Sequence, residues 1–160
     1  MTSAARLSIV SSTDDIVVED DGWPLIPERC YEAVYVGHRT ALMFGRNPSV
    51  CVRFRLVTPG PHHGVELARY YRVARLTGNG KPREGGTFTL RRGSLLLIEL
   101  CRLTEARLKP SRVSLSMLRG MVLEVSVRTV ERAWDQRPLP EALRYSVVDE
   151  LLGNTAGGAR

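Results

Sequence analysis

Long hydrophobic runs are absent. None exceeds four residues, and Leu95-Leu96-Leu97-Ile98 stops at Glu99, far short of the roughly 18 apolar residues that cross a bilayer. The opening stretch MTSAARLSIVSSTDD has no basic start followed by an apolar core. No signal peptide is therefore expected, and a cytoplasmic location follows by default. Cysteine is scarce. Cys30, Cys51 and Cys101 form no CxxC pair, so neither a disulfide framework nor a zinc site is expected. The apolar neighbours of each predict small buried side chains. Lysine is nearly missing, with only Lys81 and Lys109 among 23 basic residues.

Signatures of catalysis are missing too. GxSxG does not occur, and HExxH does not occur. Gly78-Asn79-Gly80-Lys81-Pro82-Arg83 has the glycines and lysine of a phosphate loop, but Pro82 stands where GxxxxGK[ST] needs a hydroxyl. His62 and His63 sit together in a Pro/Gly-rich loop, and nothing assigns them or His38 a partner. Asp149 and Glu150 read as capping or solubilising residues. These absences predict a protein that is not an enzyme and that needs no cofactor or metal.

What is present is charge of one sign, unevenly placed. The 160 residues carry a net +6 with a pI near 9.7. Residues 1–22 carry −4, so the remainder carries +10. A basic body behind an acidic arm predicts a polyanionic partner. Nearly all of the basic charge is arginine, whose planar fork pairs with phosphate and stacks on bases.

Periodicity places the elements. Residues 1–22 read as a flexible acidic arm with a short strand at Ile16-Val17-Val18. Cys30 to Phe44 reads as a strand with a bend or bulge at Gly37. Ser49 to Val57 alternates strictly, with Val50, Val52, Phe54 and Leu56 on one face and Cys51, Arg53 and Arg55 on the other. Val65 to Ala74 is a third strand, with Glu66, Ala68, Tyr70 and Arg72 facing outward. Arg69 breaks its inward pattern and is expected near a rim or bulge. Residues 77–86 form a long basic turn with four glycines. A helix follows, capped by Ser94 and ended by Lys109-Pro110. Leu96, Leu100 and Leu103 mark one stripe of it, and Leu95, Ile98, Arg102 and Ala106 another. Ser114 to Arg119 suits a short helical turn, Met121 to Val130 another strand, and Leu143 to Val148 a final extended piece.

Three strands, a helix and two strands is the order of the OB-fold, a five-stranded Greek-key barrel. The expected fold is thus all-β with one main helix, an OB-like β-barrel of order βββ-α-ββ. Residues 23–153 form a single domain on this reading, and 154–160 a flexible tail.

The outward strand faces carry the candidate site. Arg53, Arg55, Arg72 and Arg128 are expected to contact phosphates, and Tyr70 to stack a base. Lys81 and Arg83 are expected to close a groove. Trp134 is a further stacking platform or, alternatively, a core residue.

The segments GVELARYYRV (64–73) and RPLPEALRYSVVDELLG (137–153) resemble small proteins carried by plasmids, prophages and integrative elements of proteobacteria. The opening PERCYEA (27–33) is similar to phage-type single-stranded-DNA-binding proteins with an OB-fold. The resemblance implies an accessory role in replication, recombination or transfer on a mobile genetic element. The expected partner is single-stranded nucleic acid, DNA favoured, bound with little sequence preference. A replication or transfer protein docking on the same surface is the alternative. No membrane partner is expected, and an oligomer remains open.

Overall fold

The computed structural model describes residues 5–9, 16–20, 23–104 and 114–155. Ala5–Ile9 (β1) and Ile16–Asp20 (β2) pair antiparallel as a hairpin separate from the main sheet. The short strand expected at Ile16-Val17-Val18 is therefore one arm of that ribbon. The remaining elements are Cys30–Met43 (β3), Asn47–Leu56 (β4), Glu66–Arg72 (β5), Arg75–Leu76 (β6), Phe88–Thr89 (β7), Leu95–Thr104 (α1), Leu123–Val130 (β8) and Tyr145–Asn154 (β9). A 3-10 turn at Leu115–Leu118 fills the position expected to be a short helical turn.

The main sheet is antiparallel, in the order β5-β4-β3-β8-β9. β3 is long enough to serve both halves. Its first four residues pair with Leu123–Ser126 of β8. From Ala33 onward it pairs with β4, with a bulge between Tyr35 and Gly37. Among the described residues the ladder does not close into a barrel. β5 and β9 approach one another, and Arg69 Nη1 reaches the Val148 carbonyl at 3.4 Å. They share no strand ladder. The observed architecture is thus a five-stranded antiparallel sheet with one helix.

The alternation on β4 makes the core. Val50, Val52, Phe54 and Leu56 are fully buried, together with Leu67 and Tyr71 of β5. Leu96, Leu97, Leu100 and Leu103 of α1 pack on the same inner side, with Leu115 and Leu118 beyond them. Each such side chain contributes about 1.5–3 kcal/mol by leaving water. Leu95 and Ile98 face solvent, as their separate stripe requires. Ala106 and Lys109-Pro110 lie outside the described residues. Ser94 does not cap α1 through its side chain: its hydroxyl oxygen is buried with no hydrogen-bond partner among the described residues. Cys51 is buried, but Cys30 is exposed and Cys101 only half-buried, against the expectation that all three fill the core. β9 runs to Asn154, and the Thr155 amide and hydroxyl both donate to the Val122 carbonyl. Regular structure therefore continues into the segment expected to be tail.

Arg69 occupies no bulge or rim. It keeps its inward register opposite Val52, and its guanidinium bonds Glu99 Oε1 of α1 at 2.6 Å. The Tyr71 hydroxyl donates to the other oxygen, Glu99 Oε2. The Arg69 guanidinium also lies 4.6 Å from the centre of the Tyr71 ring. Burial pushes the Tyr71 phenol far up, and the Glu99 charge adds to this, so the hydroxyl stays protonated and donates. Burial likewise pushes the Glu99 carboxyl up, against the downward pull of the Tyr71 hydrogen bond and Arg69.

Two devices cover edges that the sheet leaves open. Residues 24–26 run along β9. The Ser146 amide donates to the Pro24 carbonyl at 2.8 Å, and the Ile26 amide to Ser146 Oγ at 2.8 Å. Residues 83–86 run along the half of β3 that has left β8. There the Thr40 amide donates to the Arg83 carbonyl at 3.0 Å, and the Gly85 amide to the His38 carbonyl at 2.8 Å. His38 fastens the same strap, with Nε2 2.9 Å from the Gly86 carbonyl and Nδ1 2.7 Å from the Tyr35 hydroxyl. The Gly86 carbonyl can only accept, so Nε2–H is the donor in that bond. The strap grows out of the β6–β7 ladder, which composition does not announce.

Two outcomes test this account. Arg69→Ala and Glu99→Ala should each destabilise by about 3–5 kcal/mol, because each leaves the other's charge buried alone. Arg69→Met with Glu99→Leu should recover most of that loss, because it removes both buried charges together. Urea unfolding of the three variants measures both. The strap depends on Gly86, where a Cβ would collide with Thr40 Oγ1. Gly86→Ala should lift the strap and speed amide exchange at Thr40 and Gly85, while the Phe54 amide in the sheet centre keeps its protection.

Candidate functional site

The outer face of β3, β4 and β5 is set by register. Three cross-strand rows run Arg39–Cys51–Tyr70, Gly37–Arg53–Ala68 and Ala41–Ser49–Arg72, with Arg55 beside Glu66 in the next row. Four expected site residues, Arg53, Arg55, Tyr70 and Arg72, thus share one face. Tyr70 is exposed at the surface. Partial burial pushes its phenol up, with the neighbouring Cys51 adding to the shift. A neutral ring is therefore presented across the physiological range.

The arginines of this face are not equally free. Arg53 is clamped by Glu84 of the strap through both guanidinium nitrogens. That clamp needs Gly37, where a Cβ would lie 2.9 Å from Arg53 Nη2. The hydrogen bonds from Arg53 hold the Glu84 carboxyl below its ordinary value, so the pair stays ionised at neutral pH. Arg55 bonds Glu66 at 2.8 Å. Arg39 and Arg72 make no ion pair among the described residues, and both are exposed. Arg39 escaped the sequence reading because its outward phase follows only once the bulge at Gly37 is fixed.

Arg128 is not brought to this face. It lies on the outer side of the β8–β9 pair, where its Nε bonds Asp149 Oδ1 at 2.8 Å. Glu150 similarly bonds Arg102 at 2.9 Å. The two acids therefore neutralise arginines, a role their position in the sequence did not disclose. Lys81 and Arg83 are exposed at and below the tip of the β6–β7 connection. The Arg83 backbone is tied to Thr40, so that this loop is anchored beside β3.

Trp134 is not a core residue. It is 77% exposed, at the tip of the connection between β8 and β9. That connection is a stiff extension. The Ala133 amide donates to the Arg137 carbonyl, the Gln136 amide to the Ala133 carbonyl and the Leu139 amide to the Glu131 carbonyl. The Trp134 ring lies 5.6 Å from Phe44, which is 61% exposed in the turn between β3 and β4. Phe44 has φ +55° and Gly45 φ +71°. Two successive left-handed residues make the turn that asparagine and glycine favour. A bulky aromatic there is strained. The turn alone would be better served by another residue, so Phe44 is explained by what its ring does. The sequence signal for it was an aromatic immediately before a turn glycine.

Among the described residues no group of three or more His, Cys, Asp or Glu side chains could hold a metal ion, and no helix is long and apolar enough to cross a membrane.

Glu84→Gln should release the Arg53 side chain without unfolding the chain, since both partners are surface groups. Amide exchange at Gly85 should rise by no more than a few-fold, because Thr40 and His38 still hold the strap. A loss of all strap protection would show that Glu84, and not Thr40 and His38, anchors it.

In comparison with known proteins, no family model, no curated protein and no solved structure matches this chain.

Proposed function

We propose that this protein binds single-stranded nucleic acid, DNA favoured, with little sequence preference, and acts by binding rather than by catalysis. The observation that carries this reading is the Phe44–Trp134 pair. Two exposed rings from two different connections stand beside a sheet face bearing Tyr70, Arg39 and Arg72. Flat rings stack bases of any sequence, and guanidinium groups follow the phosphates.

An OB-like topology supports the reading. With β3, β4, β5, β8 and β9 taken as strands one to five, the ladder runs 3-2-1-4-5 and the helix falls between strands three and four. The first strand is long, bulged and shared between the two halves. Strands three and five approach where a barrel would close. OB-folds bind oligonucleotides on the face of strands two and three and through the loops joining strands one to two and four to five. On this mapping those loops carry Phe44 and Trp134. The accessory role on a mobile element rests on the resemblance of sequence phrases alone.

A second reading has its own observation. Leu42, Met43, Phe44 and Trp134 are all exposed, and three of them are consecutive. Such a patch also suits a docked protein of the same replication or transfer machinery.

Titration of labelled oligo-dT and of duplex DNA at two salt concentrations tests the proposal. Oligo-dT should bind more tightly than duplex, with a log–log salt slope of about −0.7 per phosphate contact. Phe44→Ala, Trp134→Ala and Tyr70→Ala should each cost about 1–3 kcal/mol and leave the slope nearly unchanged. Arg39→Ala with Arg72→Ala should flatten it. Glu84→Gln, by freeing Arg53, should steepen it. Absence of oligo-dT binding at low salt would overturn the proposal in favour of the docked protein.

A further inference from the structure

We propose that the cleft between the end of β5 and the start of α1 receives a terminal phosphomonoester of the bound strand. This deepens the nucleic-acid reading and rests on it. The cleft has a volume of about 720 Å³, within the range of small-molecule sites. Its walls include Pro48, Tyr70, Arg72, Arg91, Ser94 and Leu95. No carboxylate is among its described lining residues. Arg72 and Arg91 make no ion pair among the described residues. Arg53 and Arg55 on the strand face, by contrast, are already matched by acids.

The chemistry selects the ligand. A phosphomonoester carries about −1.5 to −2 at neutral pH, whereas each internal diester carries one charge. Two unmatched guanidinium groups fit the former, and arginine binds phosphate through paired N–H groups. The first-turn amides of α1 add positive potential of the same sign. Tyr70 belongs both to the cleft wall and to the exposed sheet face. A strand lying on that face therefore reaches the cleft past a ring able to stack its last base. A free mononucleotide presents the same group, so the test includes one.

The test uses the full chain and dT oligomers of one length bearing two hydroxyl ends, a 5′-phosphate or a 3′-phosphate. One phosphorylated oligomer should bind about tenfold more tightly than the hydroxyl-ended one, as one or two charge-assisted hydrogen bonds provide. Arg91→Gln should remove that gain while leaving hydroxyl-ended affinity within about twofold, as expected of an exposed substitution. Arg102→Gln, at the other end of α1, should leave the gain intact. Equal affinity for all three oligomers, or a gain that survives Arg91→Gln, would overturn the assignment while leaving strand binding in place. If Arg102→Gln also removes the gain, the effect is general charge attraction and the cleft is not a site. If no oligomer binds, strand binding has failed. Thymidine 5′-monophosphate then decides: saturable, Arg91-dependent shifts of the cleft amides retain a phosphomonoester site, and their absence removes it.

Discussion

Arg69, Glu99 and Tyr71 tie three elements at one buried point. Arg69 and Tyr71 come from β5, Glu99 from α1, and the Val148 carbonyl that Arg69 also reaches comes from β9. Glu99 apart, the buried residues of α1 are all leucines, which hold a helix against a sheet but do not fix its rotation or its register along the strands. A carboxylate with two designated partners does fix them. The cluster is also costly. Glu99 is fully buried, and Arg69 Nε has no partner. A polar group of this kind is weak evidence for stability and better evidence for a specified geometry. The geometry it specifies places the start of α1 beside the end of β5.

The same cluster stands where the sheet does not close. β5 and β9 face one another without a ladder, so their backbone groups need other partners. Arg69 supplies one to Val148, and residues 24–26 supply others along β9. On β3 the strap at residues 83–86 does the equivalent work. An uncovered edge would template pairing with another chain. The protein thus covers edges with irregular segments held by single side chains: Ser146 for the entry segment, Thr40 and His38 for the strap. Gly86 and Gly37 permit the close approaches that these fastenings require.

Local periodicity was enough to identify the β4 and β5 faces: Val50, Val52, Phe54 and Leu56 all face the core, although Cys51 on the opposite face is buried as well. The bulge at Gly37, the exposed Tyr70 and the two stripes of α1 were legible for the same reason. Arg69 was misread because a charge in an inward position looks like an interruption. Its partner lies thirty residues later on another element, and no local pattern links the two. Cys30 was misread because apolar neighbours in sequence need not be neighbours in space. The β6–β7 ladder is two residues long on each side, too short for any period to show. Phe44 and Trp134 are separated by ninety residues, so their proximity is a property of topology alone.

Net charge is a coarser guide than its pairing. Five of the basic side chains outside the core, Arg53, Arg55, Arg102, Arg128 and Arg137, are bonded to acids within the folded chain. On the proposed reading a phosphate would have to displace a carboxylate at these, so each would contribute less than an unmatched arginine. Pairing leaves the net +10 unchanged but decides where positive charge stands free, as at Arg39 and Arg72 on the strand face and Arg91 at the cleft. Opposite charges repeated along the same surface also oppose tight binding of strands that lie elsewhere on it. On the proposed reading, what the fold leaves unmatched, in charge at the end of β5 and in exposed rings at Phe44 and Trp134, would define a path across the sheet rather than a uniformly basic surface.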